Sequence, residues 1–138
     1  MTTEQNKALV RRLVDELQCQ HDLSALDRYV APTFVDHTAG PGIPPNREGA
    51  KMFFQAFFEG VPDLRVEINE QAAEGNKVFT HKTFRGTHTG TLMGIPATGK
   101  EFSYDVIDIL TVDDGQITEH RVVMDQLGLL KQLGVIPG

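Results

Sequence analysis

The stretch from Lys100 to Gly138 constrains the fold most, because it predicts a strand, a tight turn, a second strand and a short closing helix. Asp113-Asp114-Gly115 marks the turn, since glycine supplies the positive φ that hairpin turns need. The first strand is apolar on both faces: Val106, Leu110 and Val112 on one, Ile107 and Ile109 on the other. A strand of this kind is typical of one that is covered on both sides.

Asp108 lies in the middle of that apolar run, so its carboxylate needs a partner, a proton or a ligand. The length of the hairpin loop decides which residue of the second strand lies opposite Asp108. A two-residue loop, Asp114-Gly115, places Asp108 opposite Arg121 and predicts a structural ion pair. A three-residue loop, 113–115, places it opposite His120. Both loops are common, and the turn residues alone leave the two alternatives open.

Composition limits the class of protein. The 138 residues predict a single domain, 1–138, that buries about two-thirds of the surface of its unfolded chain. The chain is 40% hydrophobic and 23% charged with a net charge of −6, which argues against nucleic-acid binding. Cys19 is the only cysteine, so no internal disulfide is expected. With no signal peptide and no long apolar run, we expect a cytoplasmic protein without membrane contact.

The order of the predicted elements gives the fold class. Helices come first, then strands, and a short helix ends the chain. The predicted helices are 3–19, 23–30 and 47–59, and the predicted strands before the hairpin are 34–37, 64–69 and 77–85. This order predicts an α+β fold with helices packed on one face of a curved, mostly antiparallel sheet. The other face must be covered by a second subunit, or the sheet must curl around a pocket, or both.

The candidate catalytic residues are polar groups in or beside apolar strands. Asp108 is a candidate general acid–base group, since a carboxylate among apolar residues suits proton transfer. His120 shares a strand face with Val122 and Met124, and His37 lies at the mouth of a loop rich in proline and glycine. No two histidines have the spacing of a metal site, so no metal is expected.

Each candidate also has a structural interpretation. Asp108 can be one half of an ion pair, and His120 or His37 can be satisfied by a local hydrogen bond. His81, in mid-strand, and His88, in a glycine-rich break, favour structural roles but remain candidate ligand contacts. Asp125 is predicted to cap the last helix.

Several ordered motifs resemble a known family. They are Phe34-Val35-Asp36-His37, Val61-Pro62-Asp63-Leu64-Arg65, Gly86-Thr87-His88-Thr89-Gly90, Gly94-Ile95-Pro96-Ala97-Thr98-Gly99, Asp114-Gly115-Gln116-Ile117 and Leu129-Leu130-Lys131-Gln132-Leu133-Gly134. Together they resemble the SnoaL-like polyketide cyclase (ester cyclase) family of the NTF2-like superfamily. The resemblance implies a cone-shaped α+β domain around a deep pocket for a hydrophobic small molecule. It further implies a homodimer without a metal or organic cofactor.

The family's catalytic residues are not all present. By resemblance, the acid–base aspartate of the cyclases falls on Val122, a pocket glutamine on Val106, a pocket histidine on Asp108 and an asparagine on Asp36. The same alignment places residues 106, 108 and 122 on one pocket-facing surface. It therefore favours the three-residue loop, with Asp108 opposite His120. In the related ketosteroid isomerases, the general-base aspartate corresponds to His37.

These observations predict a cofactor-free acid–base enzyme that cyclises or isomerises an apolar carbonyl compound. Asp108 or His37 would remove a proton, and His120 and Tyr104 would hold the developing enolate oxygen. The residues expected to contact substrate are Tyr104, Val106, Val122, Met124, His81, His88 and Asp36. Two alternatives remain: a small-molecule binding module without catalysis, and a dimerisation domain whose sheet face is an interface.

Overall fold

A computed structural model describes residues 1–138 and shows helices packed on the concave face of one five-stranded sheet. The helices are α1 Thr3–Leu13, α2 Ala25–Tyr29, α3 Arg47–Gly60 and α4 Gln126–Gln132, and a π-helical segment, Val14–Cys19, extends α1. The strands are β1 Val30–Asp36, β2 Arg65–Glu74, β3 Lys77–Thr87, β4 Glu101–Asp113 and β5 Gln116–Met124. The predicted α+β fold is confirmed. None of the helices combines the length and apolarity needed to cross a membrane.

The sheet is mostly antiparallel, as predicted. Its order is β1-β5-β4-β3-β2, and only the β1–β5 pair is parallel. Strand β1 lies at the edge of the sheet beside β5, the last strand in the chain. The end of β1, Asp36, therefore lies directly beside His120 of β5.

The first helix begins with the capping box that the sequence predicts. Gln5 N–H donates to Thr2 Oγ1 at 3.1 Å, and Thr2 N–H donates to Gln5 Oε1 at 2.8 Å. The predicted single α-helix to Cys19 is wrong over its last six residues, which are π-helical. The wider π turn buries Gln18 together with Val14 and Leu17, so a polar side chain faces inward among apolar ones.

The β4–β5 hairpin closes with a two-residue turn, so the predicted three-residue loop is wrong. Asp114 and Gly115 have φ values of 50° and 76°, as a turn of the mirror-image type requires. A β-bulge at Thr118 then adds one residue to β5, because Val112 pairs with Ile117 while Thr111 pairs with Glu119.

The bulge changes the register of the whole hairpin. Asp108 lies opposite Val122, and His120 lies opposite Leu110. The predicted pairings of Asp108 with Arg121 and with His120 are therefore both wrong. The turn alone would have put Arg121 opposite Asp108, and the single extra residue of the bulge moves every later pairing by one.

The central strand β4 is covered on one face only within the chain. Its inner side chains alternate along the strand and are buried: Phe102, Tyr104, Val106, Asp108, Leu110 and Val112. On the outer face Ile107 is 47% exposed, and Val123, opposite it on β5, is 74% exposed. Nothing within the chain covers this outer face, so its expected cover by a second subunit stays a prediction.

The last helix fixes the end of the sheet. Gly128 N–H donates to Asp125 Oδ1 at 3.0 Å, which confirms the predicted cap. The Gln132 side-chain amide then bonds the backbone of Ser103 through two hydrogen bonds of 2.8 Å each. Helix α4 is thereby held against the start of β4, while Leu129 and Leu133 fill the core beneath it.

Candidate active site

A cavity of about 820 Å³ lies between the helices and the concave face of the sheet. Of its 34 lining residues 22 are hydrophobic, so an occupant would have to be largely apolar. Helix α3 contributes Phe53, Phe54 and Phe57, and the loop after β1 contributes Thr38 to Pro41 and Ile43. The polar side chains on the wall are Gln18, Asp36, Thr38, Lys82, Thr91, Tyr104, Asp108, His120 and Gln126.

His120 and Asp36 form a hydrogen-bonded pair on this wall. The parallel β1–β5 register sets the two residues side by side, and His120 Nδ1 lies 2.9 Å from Asp36 Oδ1. Because an ionised carboxylate can only accept, Nδ1 carries the proton and Nε2 is the basic nitrogen. An imidazole oriented by a carboxylate in this way is suited to general base catalysis.

The loop after β1 holds Asp36 in place. Thr38 N–H donates to Asp36 Oδ1 at 3.0 Å, and Val122 N–H donates to Thr38 Oγ1 at 3.1 Å. Burial by itself would raise the pKa of Asp36, but His120 and the hydrogen bonds from Thr38 outweigh it and lower the pKa. Asp36 is therefore ionised at neutral pH and remains an acceptor for His120.

The lowered pKa of Asp36 predicts a pH-dependent contribution to stability. A carboxyl that binds its proton less tightly when folded stabilises the fold above its unfolded pKa, near 3.8, and loses this effect as pH falls through the folded value. We expect Asp36→Asn to unfold at lower urea concentration than the wild type at pH 6, with the difference shrinking towards pH 3. A difference that stays constant over this range would contradict the assignment.

Lys82 and Asp108 form a second pair deeper in the same wall. Lys82 Nζ donates to Asp108 Oδ2 at 2.6 Å and to Gln18 Oε1 at 3.2 Å. Lys82 is only 2% exposed and Asp108 4%, and the second carboxylate oxygen of Asp108 has no hydrogen-bond partner. Sequence reasoning missed Lys82, although its alternation with Val78, Thr80 and Phe84 along β3 places it on the inner face.

Asp108 and His120 share the wall but do not contact each other in the way the sequence predicted. The Asp108–Val122 pair lies two positions along the hairpin from the Leu110–His120 pair, so Asp108 and His120 are diagonal neighbours at a typical separation of roughly 7–8 Å. Asp108 is bonded to Lys82 and His120 to Asp36, so the site contains two separate polar pairs.

Tyr104 supplies a free donor to the cavity. Burial raises the pKa of its phenol, which therefore stays protonated at neutral pH. The hydroxyl makes no hydrogen bond within the chain, and the ring packs between Phe84 and Phe102. The other predicted wall residues, Val106, Val122 and Met124, also line the cavity.

Three predicted site residues lie outside the cavity. His37 follows Asp36 and faces the opposite side of the sheet, where Nε2 lies 2.9 Å from Glu119 Oε1. His81 is on the outer face of β3, 3.2 Å from Asp105 Oδ2. His88 is fully buried, with its ring nitrogens bonded to Thr98 Oγ1 and the Ile95 carbonyl, and it anchors the loop before β4.

The prediction that these three histidines reach the pocket is therefore wrong. For His37 and His81 the reason is strand alternation, which sends every second side chain to the other face. For His88 the reason is the loop that follows it, because Ile95 and Thr98 of that loop bind both nitrogens of its ring. The structure also contains no cluster of three or more histidine, cysteine, aspartate or glutamate side chains arranged to hold a metal ion.

A curved sheet, helices on its concave side and an apolar cavity with ionisable groups on its wall define the NTF2-like class of small α+β cones. A family model described as SnoaL-like polyketide cyclase matches residues 8–133. The chain thus belongs to the SnoaL-like polyketide cyclase family, as its motifs predicted.

Individual relatives agree with this assignment. Aklanonic acid methyl ester cyclase DauD of Streptomyces sp. (strain C5) is 31% identical, over 91% of this chain and 80% of the relative. Nogalonic acid methyl ester cyclase of Streptomyces nogalater is 32% identical, over 79% of this chain and 83% of the relative. The structure of TsrD from Streptomyces laurentii superposes with a TM-score of 0.90 at 29% identity and covers 99% of both chains.

Proposed function

We propose that this protein is an acid–base enzyme that closes a ring in an apolar carbonyl compound by an intramolecular aldol reaction. The observation that carries the proposal is the His120–Asp36 pair, with Nδ1 and Oδ1 2.9 Å apart, on the wall of an apolar cavity. Two relatives are cyclases of aklanonic acid methyl ester and nogalonic acid methyl ester, which supports a reaction of the same type.

The reaction requires a base and a donor, and the chain's own residues provide both. His120 Nε2 removes a proton from the carbon beside a carbonyl, and Asp36 stabilises the imidazolium that forms. Tyr104, whose hydroxyl has no partner in the chain, donates to the developing enolate oxygen. The enolate carbon then attacks a second carbonyl of the same molecule, and the proton held by His120 passes to the new alkoxide.

These roles revise the assignments made from the sequence. His37 faces away from the cavity and cannot act as the base there. The Asp108 carboxylate is paired with the Lys82 ammonium, so we assign removal of the substrate proton to His120 instead. His120, which was expected to hold the enolate, takes the role of the base because Asp36 orients it.

The experiment is deuterium exchange into 2-tetralone, an apolar and enolisable ketone, in D₂O. The protein should accelerate exchange at the carbon beside the carbonyl, as followed by proton NMR, because exchange requires only the base and the enolate donor. The first compounds to test for cyclisation are the esters in the names of the two relatives, aklanonic acid methyl ester and nogalonic acid methyl ester. Exchange at the rate of buffer alone, together with no conversion of either ester, would contradict the proposal.

A non-catalytic binding protein is the second candidate. Val122, which corresponds by resemblance to the cyclases' acid–base aspartate, lies on the cavity wall directly opposite Asp108. The position that carries the family's base therefore has no ionisable group here. Ligands that raise the unfolding temperature of the protein without exchange or conversion would favour this candidate.

We also propose that the outer face of the sheet forms a homodimer, as the sequence predicts. Ile107, Val123 and Phe79 are exposed there on neighbouring strands, and nothing in the chain covers them. We expect the wild type to sediment as a dimer and Val123→Glu to sediment as a monomer. Val135→Glu, which changes an equally apolar residue near the C-terminus, is the control and should remain dimeric. A monomeric wild type would contradict the proposal.

A further inference from the structure

Lys82 is one of two ionisable residues of the cavity wall, together with Asp108, that the proposed mechanism leaves without a role. It lies on the inner face of β3, 2% exposed, with Nζ 5.4 Å from the centre of the Phe84 ring. Among the six lysines of the chain it is the only one that lines the cavity. The other ionisable groups on that wall are Asp36, Tyr104, Asp108 and His120.

The surroundings of Lys82 are poorly suited to a purely structural ion pair. Its carboxylate partner, Asp108, has one oxygen buried without any hydrogen bond, which costs free energy in an apolar wall. Buried ion pairs of this kind stabilise a fold no better than well-packed apolar residues do. A desolvated lysine beside a proton acceptor is, by contrast, the arrangement that makes the amine a nucleophile towards carbonyl groups.

We propose that Lys82 forms an imine with the carbonyl group of the ligand, so that the aldol reaction proceeds through an enamine. The inference rests on the proposed function for its ligand class, an apolar carbonyl compound. It adds a covalent step and a residue that the acid–base scheme does not contain.

Each step balances with the groups present. Lys82 Nζ passes one proton to Asp108 Oδ2, 2.6 Å away, and the neutral amine adds to the carbonyl carbon. The carbonyl oxygen takes up two protons, one returned by Asp108 and one from the nitrogen, and leaves as water. This loss gives a C=N bond. No oxidant or reductant is involved.

The imine then takes the place of the ketone in the proposed reaction. The protonated imine withdraws electrons more strongly than a carbonyl, so His120 removes the neighbouring proton more easily and an enamine forms. The enamine carbon attacks the second carbonyl, and one water hydrolyses the resulting imine to release Lys82. This scheme accounts for a ring closure without an aspartate at position 122, because an enamine requires a weaker base than an enolate.

Benzoylacetone, an apolar 1,3-diketone, tests the proposal without any turnover. An amine condenses with a 1,3-diketone by loss of one water to give a conjugated enaminone, which absorbs in the near ultraviolet. We expect the wild-type protein to gain the mass of one benzoylacetone minus one water, with the modified peptide containing Lys82. We expect the new absorbance band to appear with the same time course.

Variants separate this outcome from a structural effect. Lys82→Arg keeps the positive charge and the pairing with Asp108 but cannot form the adduct, so it should fold and remain unmodified. Lys77→Met changes a lysine of the same strand that bonds Thr111 outside the cavity, and its adduct should match the wild type. A wild type without adduct, or with adducts only at other lysines, would overturn the proposal, as would an equal adduct in folded Lys82→Arg.

The test does not depend on the acid–base proposal. Enaminone formation requires the amine but not the base, so His120→Ala should lose ketone exchange and still form the adduct at Lys82. If the adduct fails to form while exchange persists, the imine is wrong and the acid–base function stands. If the adduct forms but the wild-type protein does not accelerate deuterium exchange over buffer alone, the acid–base function is wrong.

Discussion

His120→Ala is expected to lower the rate of deuterium exchange into 2-tetralone by roughly 10²–10⁴-fold, the usual contribution of a positioned general base. His120 is the only histidine on the cavity wall, and the Asp36 carboxylate orients its imidazole. Its removal leaves Tyr104 and the apolar walls in place, so the ketone should still bind. The measurement is exchange rate against ketone concentration, which separates a loss of rate from a loss of binding.

The chain offers a matched control for this variant. His37 and Glu119 form a second histidine–carboxylate pair at 2.9 Å between the same two strands, but on the outer face. His37→Ala removes a similar side chain and hydrogen bond without reaching the cavity, so its exchange rate should equal that of the wild type. Asp36→Asn should also lower the rate, because the imidazole loses the carboxylate that keeps its proton on Nδ1. Equal losses in His37→Ala and His120→Ala would contradict the assignment.

Asp108→Ala is expected to destabilise the protein by about 3–5 kcal/mol, since it leaves the Lys82 ammonium buried without a counter-charge. Lys82 is held between Asp108 Oδ2 and Gln18 Oε1, and only the first of these carries a charge. Gln18 alone cannot replace the lost interaction. Urea unfolding followed by circular dichroism measures the effect as a shift in the midpoint.

Removal of the whole polar network should have a much smaller effect. The triple variant Gln18→Leu, Lys82→Met, Asp108→Leu replaces every partner by an apolar side chain, and we expect a stability close to that of the wild type. The contrast between the single and triple variants separates the cost of an unpaired charge from the net contribution of the pair. A small loss of stability in Asp108→Ala together with a large loss in the triple variant would show that the ion pair itself stabilises the fold.

Local signals in the sequence determined the elements and the family. The capping box at Thr2 and the Asp125 cap depend on residues within a few positions of one another, and the structure confirms both. The same local signals placed the hairpin turn within residues 113–115 but did not give its length. The alternation of apolar residues on β4 likewise assigned Tyr104, Val106 and Asp108 to one face. These features can be predicted from the sequence because each depends on residues that are close together in the chain.

The pairing across strands was decided by the tertiary structure. The two-residue turn excluded His120 as the residue opposite Asp108, and the bulge at Thr118 then replaced Arg121 by Val122 at that position. The actual partner of Asp108 is Lys82, which lies on β3, a strand that the hairpin sequence does not specify. Neither the bulge nor the neighbouring strand leaves a signal in the residues around Asp108.

The residues of the site divide in the same way between those that local pattern predicts and those that distant strand pairing brings together. The sequence by itself determined an α+β chain with a few ionisable groups among apolar strands, because secondary structure and burial follow from short-range pattern. Only the tertiary structure brought His120 to Asp36 and turned His37 outward, because both depend on the parallel pairing of β1 with β5, strands some eighty residues apart. Register between distant strands is set by how the whole sheet packs, and a single added residue changes which side chains meet.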